Sequence, residues 1–501
     1  MPQEETTKLS TAAPPADADK HFRTDHLRAG LGRRTARGGA LMMGSQGFKF
    51  VLNMLATVVL ARLLTPQDYG LIGMVIVVTN FADLFRSLGL SAATVQKEDV
   101  SHAQVSTLFW INLAFGALTM LLTAAASPAV ARFYAEPRLV PVTVAFAVTF
   151  LFGGLVVQHE AVLRRQMRFG VLATLELVSM LAGIVVAVVM AARGAGYWAL
   201  VFNQLVLNFL YAAGVWLACG WRPSLPSKAA GVRSMLAFGG NITASRVLNF
   251  FARNLDNMLI GRYWGAQSLG LYAKAYQLLL LPLDQITGPL DGVVVPALSR
   301  LGDSPERYRR AYLRILEKVA MLTMPGIAFM IATSDWLVRV VLGPQWGETA
   351  RVFAWLGLTG LLEPIGIAGG WALISQGRKG DILRLSLIHA PIAILSIVAG
   401  LPWGAVGVAA AYSTVGLLVR KPLVFWFVGR EGPVRASDIY RAIAPSSCAA
   451  LCVMAALFLF RRWAGVSEPL WGLAACFAIA CGVALFALAA LPAGRLALRD
   501  A

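Results

Sequence analysis

Apolar runs of about 20 residues, each closed by a short polar or turn-forming junction, recur from residue 41 almost to the C-terminus. Runs of that length cross a hydrocarbon core of about 30 Å, where backbone polar groups are satisfied in a single segment only as helix. About fourteen spans are predicted, among them 41–61, 69–90, 235–261, 270–297, 404–426 and 470–490. The junctions carry turn chemistry, as in Thr65-Pro66-Gln67-Asp68 and Leu401-Pro402-Trp403-Gly404. The predicted fold class is an all-α polytopic membrane protein.

Composition agrees. Of the 501 residues 57% are hydrophobic and 14% charged, against about 25% charged in soluble domains. The net charge of +18 reads as loop arginines that set orientation, not as a nucleic-acid surface, since no aromatic-interleaved basic module is present. An even number of spans puts both termini on one side. The loops and tails of that side hold most of the 44 Lys and Arg, including Arg300, Arg307, Arg309, Arg310, Arg314 and Lys318. By the positive-inside rule that side is cytoplasmic. Residues 1–40, polar and then Arg-rich, read as a disordered basic cytoplasmic tail without a cleavable signal.

The chemistry sought in enzymes is missing. No phosphate-binding loop of the ATPase type occurs, and no His/Cys metal cluster. The five cysteines, Cys219, Cys448, Cys452, Cys476 and Cys481, fall in or beside apolar runs and read as small packing residues. No cofactor, metal or catalytic residue is expected.

One apolar run breaks the rule. Arg246, Asn249, Arg253, Asp256 and Asn257 share a helical face within it. A charge at bilayer depth costs about 3 kcal/mol on insertion scales, so such a stripe needs a partner or a wet cavity. Two arginines against one aspartate point to an anion. Asp256 either pairs permanently with Arg253 or yields it to the anion.

The chain also repeats itself. Laying residues 45–71 on 245–271 matches Ser45 with Ser245, Arg62 with Arg262, Gln67 with Gln267 and Gly70 with Gly270, without a gap. Both copies start with a span entering from the same side, so the repeat is parallel, and substrate sites lie between such repeats. Lys49 then matches Asn249, and Asn53 matches Arg253. Lys49 and Asn53 on the first span, with Arg246, Asn249, Arg253 and Asn257 on its counterpart and Lys274 on the next, are the candidate cavity residues. Asp284 is a candidate proton or sodium site or a partner for the cations. Arg62 and Arg262, at matching outer ends, read as gate residues, phosphate receivers or interfacial anchors.

These residues sit in segments that carry a family resemblance. LARLLTPQDYGLIGM (60–74), ARFYAEPRL (131–139), NLDNMLIGRYWG (254–265), LGLYAKAYQLLLLP (269–282) and VVLGPQWGETA (340–350) resemble polysaccharide-export flippases of the MOP superfamily (multidrug/oligosaccharidyl-lipid/polysaccharide), in the branch of lipopolysaccharide and exopolysaccharide transporters. The resemblance implies an N-lobe (41–218), a linker (219–234), a C-lobe (235–430) and two further C-terminal helices (431–501), with six helices per lobe in a V. It implies alternating access that carries undecaprenyl-pyrophosphate-linked oligosaccharide between leaflets of a bacterial inner membrane. Arg246 and Arg253, with Lys49, Arg62, Arg262 and Lys274, are the matching pyrophosphate candidates. The implied partners are membrane lipids and polysaccharide polymerase or export machinery. Two alternatives stand: a cation-coupled multidrug exporter of the same superfamily, which would want an acid on the first helix of a lobe, and a membrane glycan polymerase or ligase, which would want longer outer loops.

Overall fold

The computed structural model describes residues 22, 31–86, 94–95, 100–226, 243–464 and 468–491, except the side chains of 31–43, 84–86, 243–249 and 251–253. It contains no strand among the described residues. Eleven helical segments among them are long and apolar enough to cross a membrane. Two of these, Asn254–Ser299 and Lys379–Arg430, each hold two predicted spans, divided at Gly265 and at Leu401–Trp403. The chain is a multi-pass membrane protein.

The N-lobe runs α1 (Leu31–Leu63), α2 (Pro66–Arg86), α3 (His102–Tyr134), α4 (Leu139–Arg165), α5 (Phe169–Ala192) and α6 (Trp198–Cys219). The C-lobe follows with α7 (Thr243–Ser299), α8 (Pro305–Ala332), α9 (Ser334–Val341), α10 (Thr349–Gly360), α11 (Glu363–Ser375), α12 (Lys379–Gly400), α13 (Gly404–Val415) and α14 (Lys421–Arg430). The pair α15 (Ala436–Trp463) and α16 (Pro469–Ala490) packs on the C-lobe. Gly265, at φ 76° and ψ −178°, divides α7 into arms 243–264 and 266–299. A side chain there would be strained, so glycine suits the turn. The second arm carries Pro282, Pro289 and Pro296, one every seventh position. In the first repeat the same junction is capped differently: the Asp68 carboxylate accepts from the Thr65 amide (2.9 Å) and hydroxyl (2.7 Å).

Helix α1 starts at Leu31, ten residues before the predicted span, and runs through Gly32, Gly38 and Gly39. Phe22 is buried: its ring lies 6.3 Å from that of Trp221 and its carbonyl accepts from Arg165 Nε (3.0 Å). Of the linker, Trp221 is also buried, donating to His102 Nδ1 (3.1 Å), and residues 227–234 lie outside the description.

Three cores explain how the lobes are joined. We call the side of residues 65 and 265 the far side and that of residues 31 and 300 the near side. The far-side core unites both lobes, with Leu60, Leu71, Met74 and Tyr134 against Ile260, Leu269, Tyr272 and Trp346. Toward the near side each lobe has its own: Phe109, Val162 and Leu172 in the N-lobe, Leu298, Tyr308 and Ile439 in the C-lobe and its added pair. Among the described residues, burial of apolar surface thus joins the lobes in one core at the far side, while toward the near side each lobe packs a core of its own.

Candidate functional site

The far-side junction obeys the repeat. A β-carbon built on Gly70 would overlap the Ala266 carbonyl, and one built on Gly270 would overlap the Pro66 carbonyl. Gly70 and Pro66 are the repeat counterparts of Gly270 and Ala266, so α2 and the second arm of α7 cross about a local two-fold axis at their first turns. Above the crossing, each lobe caps the first helix of the other. Ala61 O, at the orphan end of α1, accepts from Gln345 Nε2 (2.7 Å) and Trp346 Nε1 (2.8 Å). On the matching helix, Gly261 lies under the ring of Tyr134. Arg62 Nη2 donates to Val340 O (2.8 Å), which puts this predicted gate residue across the lobe boundary. Arg262 does not repeat that bridge; its guanidinium lies 5.8 Å from the ring of its neighbour Tyr263.

Beneath the crossing lies a cavity of about 270 Å³. Asn53 and Thr57 of α1, Tyr69 of α2, Asn203 and Gln204 of α6, and Lys274 and Gln277 of α7 give it polar walls. It lies between the N-lobe and the second arm of α7, and among the described residues none of the first α7 arm lines it. On the near side, Phe81 of α2 meets Phe250 of α7 (ring centroids 5.4 Å).

Lys274 is its charged group. The side chain is 93% shielded by the protein, counting its exposure of 7%. Its ammonium donates to Gln277 Oε1 (2.9 Å) and sits 3.9 Å from the centroid of the Tyr69 ring. Among the described residues no carboxylate pairs with it. A ring face gives a desolvated cation about 2 kcal/mol, which offsets part of the cost of burial and leaves the charge un-neutralised. The repeat counterpart of Lys274 is Met74, buried in the far-side core. The charge is thus contributed by one lobe only.

The other predicted residues divide. Asn53 lines the cavity. Lys49 is not among the residues that line it and is ion-paired with Glu176 of α5. The sequence pattern showed the lysine but not an acid 127 residues away that neutralises it. Asp256 is buried, accepting from the Tyr272 hydroxyl (2.9 Å) and from the amide of Asn257 (2.8 Å). Asn257 Oδ1 is buried without a hydrogen-bond partner among the described residues. Arg246, Asn249 and Arg253 lie outside the residues whose side chains are described, and with them the predicted Arg253–Asp256 pair. Asp284 lies exposed on the near-side half of the second arm.

Sequence reasoning missed Asn203, Gln204 and Tyr69; an Asn-Gln pair inside an apolar run was the available signal. It also gave no role to Arg420 and Lys421, which lie inside the predicted span 404–426. Both are buried within the helical segment 404–430. Lys421 Nζ pairs with Glu363 (2.7 Å), and the Arg420 guanidinium stacks on Tyr412 (4.3 Å) beside a π-helical turn at Gly416–Arg420.

Comparison with known proteins fits this arrangement. Residues 59–351 match the family described as polysaccharide biosynthesis protein. The chain is 28% identical over 305 residues to the teichuronic acid biosynthesis protein TuaB of Bacillus subtilis, covering 60% of this chain and 62% of that protein. It is 25% identical to the lipopolysaccharide biosynthesis protein WzxC of Escherichia coli over 73% of this chain and 75% of that one. Its fold is similar to that of the lipid II flippase MurJ in an inward closed conformation, with a TM-score of 0.71 at 12% identity over 89% of this chain and 97% of that chain. A multidrug-resistance MATE family transporter, inward-facing, is similar at a TM-score of 0.56 and 14% identity, over 81% and 94%.

Proposed function

We propose a transport role for this chain, which belongs to the polysaccharide biosynthesis protein family: it carries polyprenyl-pyrophosphate-linked oligosaccharide from the inner to the outer leaflet of a bacterial cytoplasmic membrane. The single observation that carries the reading is Lys274, a buried lysine with no carboxylate partner among the described residues, in a polar cavity directly under the far-side seal. An ammonium ion in low dielectric attracts a pyrophosphate strongly. The amides of Asn53, Asn203 and Gln204 supply donors and acceptors for sugar hydroxyls and phosphate oxygens.

On this reading the near side is cytoplasmic and both termini lie there. The lipid-linked head group enters from the near side when the lobes part below Phe81 and Phe250. At about 270 Å³ the cavity is at the bottom of the range for ligand sites, so loading requires that opening. The pyrophosphate meets Lys274, and the lobes rock about the α2–α7 crossing. An inside-negative potential favours outward movement of an anion by about 2.3 kcal/mol per charge per 100 mV. Asp256 or Asp284 would be the acid for any proton or sodium coupling. Polysaccharide polymerase or export machinery would take over the released unit. A multidrug exporter of lipophilic cations would be repelled by Lys274.

The test is export in cells lacking the native transporter, with protein level measured in the same cells. Lys274→Ala is expected to abolish surface polysaccharide at unchanged protein level, and Lys274→Arg to restore part of it. Full export with Lys274→Ala would overturn the assignment.

A further inference from the structure

A second concentration of positive charge lies far from the cavity. At the near-side turn between α7 and α8, a cleft of about 290 Å³ is lined by Leu301, Arg307, Arg310, Ala311 and Arg314. The three arginines recur at helical spacing and share the exposed face of α8. The opposite face buries Tyr308, Tyr312 and Leu316 in the C-lobe core, so the arginines cannot turn inward.

Their neighbour Arg309 is committed elsewhere. It forms a two-pronged pair with Asp438 of α15, Nε to Oδ2 at 2.8 Å and Nη2 to Oδ1 at 2.6 Å. That pair fixes the rotation of α8 and holds the other three arginines over the cleft. Arg310 Nε reaches only the Glu306 carbonyl (3.4 Å). Over residues 300–318, with Arg309 neutralised by Asp438, the cations Arg300, Arg307, Arg310, Arg314 and Lys318 outnumber the acids Asp303, Glu306 and Glu317.

The level of the cleft identifies the ligand. Eight residues beyond Arg314, about 12 Å along the helix and about 80° around it, α8 exposes Leu322, 61% exposed. A basic segment passing into an exposed apolar one along the same helix is what a phospholipid meets: head group first, then acyl chain. Leu301 and Ala311 give the cleft apolar shoulders. We infer that this cleft binds the phosphodiester head group of an anionic phospholipid of the near-side leaflet, with Arg307 and Arg310 as the principal donors and Arg314 completing the wall.

The experiment uses the full chain in nanodiscs and in detergent. Native mass spectrometry counts phosphatidylglycerol retained by the wild type, by Arg307→Ala/Arg310→Ala, and by the control Arg441→Ala, an exposed arginine of α15. Expected are loss of one retained lipid and at least about tenfold weaker binding in the double variant, with the control unchanged. An unchanged lipid count in the double variant would overturn the proposal. Independently of any variant, wild-type protein in discs with a photoreactive head-group analogue of phosphatidylglycerol should cross-link within residues 300–315; cross-links confined to other segments would overturn it. Displacement of the lipid by inorganic phosphate at constant ionic strength would mark a soluble-phosphate site and overturn the lipid assignment.

Discussion

The two ends of the lobe boundary are built from different materials. On the far side, backbone touches backbone: Gly70 and Gly270 let carbonyls of the opposite helix into the space a β-carbon would fill, and Trp346 and Gln345 cap α1 above them. On the near side of the cavity, Phe81 and Phe250 meet by their rings. Main-chain contact has no rotamers and cannot be loosened by degrees, whereas a ring pair separates by side-chain rotation. The far side is therefore the firm closure and the near side the latch.

The largest effect on access to the cavity should follow from filling a glycine slot. With a reporter cysteine at Thr57 in the cavity, Gly70→Leu should raise labelling by an impermeant thiol reagent applied from the far side by at least about fivefold, since overpacking costs about 1–3 kcal/mol. Equal rates in the two backgrounds would place the seal elsewhere. Next comes Trp346→Ala. It removes a fully buried ring and its bond to Ala61 and should lower stability by about 3–5 kcal/mol, read as thermal unfolding in detergent. Phe250→Ala removes a ring pair worth about 1 kcal/mol beyond its buried area and should raise near-side labelling of the same cysteine a few-fold, leaving far-side labelling alone. The smallest is Glu176→Gln. Its ion pair with Lys49 is partly exposed, with side-chain exposures of 20% and 36%, so the loss should be a few tenths of a kcal/mol. A large loss would make that pair a part of the latch.

Much of this comparison was written in the sequence, though not its reasons. The spans were legible because hydrocarbon thickness fixes their length, and the match of Gly70 to Gly270 marked the repeat. What the glycines are for became visible only when Ala266 and Pro66 were brought against them. Lys274 was legible as a charge in an apolar run. Its isolation was not, because that depends on which side chains α1, α2 and α6 turn toward it. Lys49 is the converse: equally legible as a charge, and neutralised by a helix the periodicity could not pair with it. Arg420 and Lys421 fall within the predicted span 404–426, but how the membrane tolerates them was not legible: only Glu363 and the Tyr412 ring show what receives the two charges.

The prolines of the second α7 arm have a mechanical meaning. Each removes one amide from the ladder, so Pro282, Pro289 and Pro296 leave the carbonyls four residues earlier without their usual donor, all along one edge of the helix. The arm is thereby a series of short rods joined at compliant points, softest for bending about a single direction. Its upper end is clamped at the glycine crossing and its lower end runs into the arginine-lined turn. Motion of the lobes can then be taken up as curvature spread along one helix, and the crossing itself need not tear for the near side to widen.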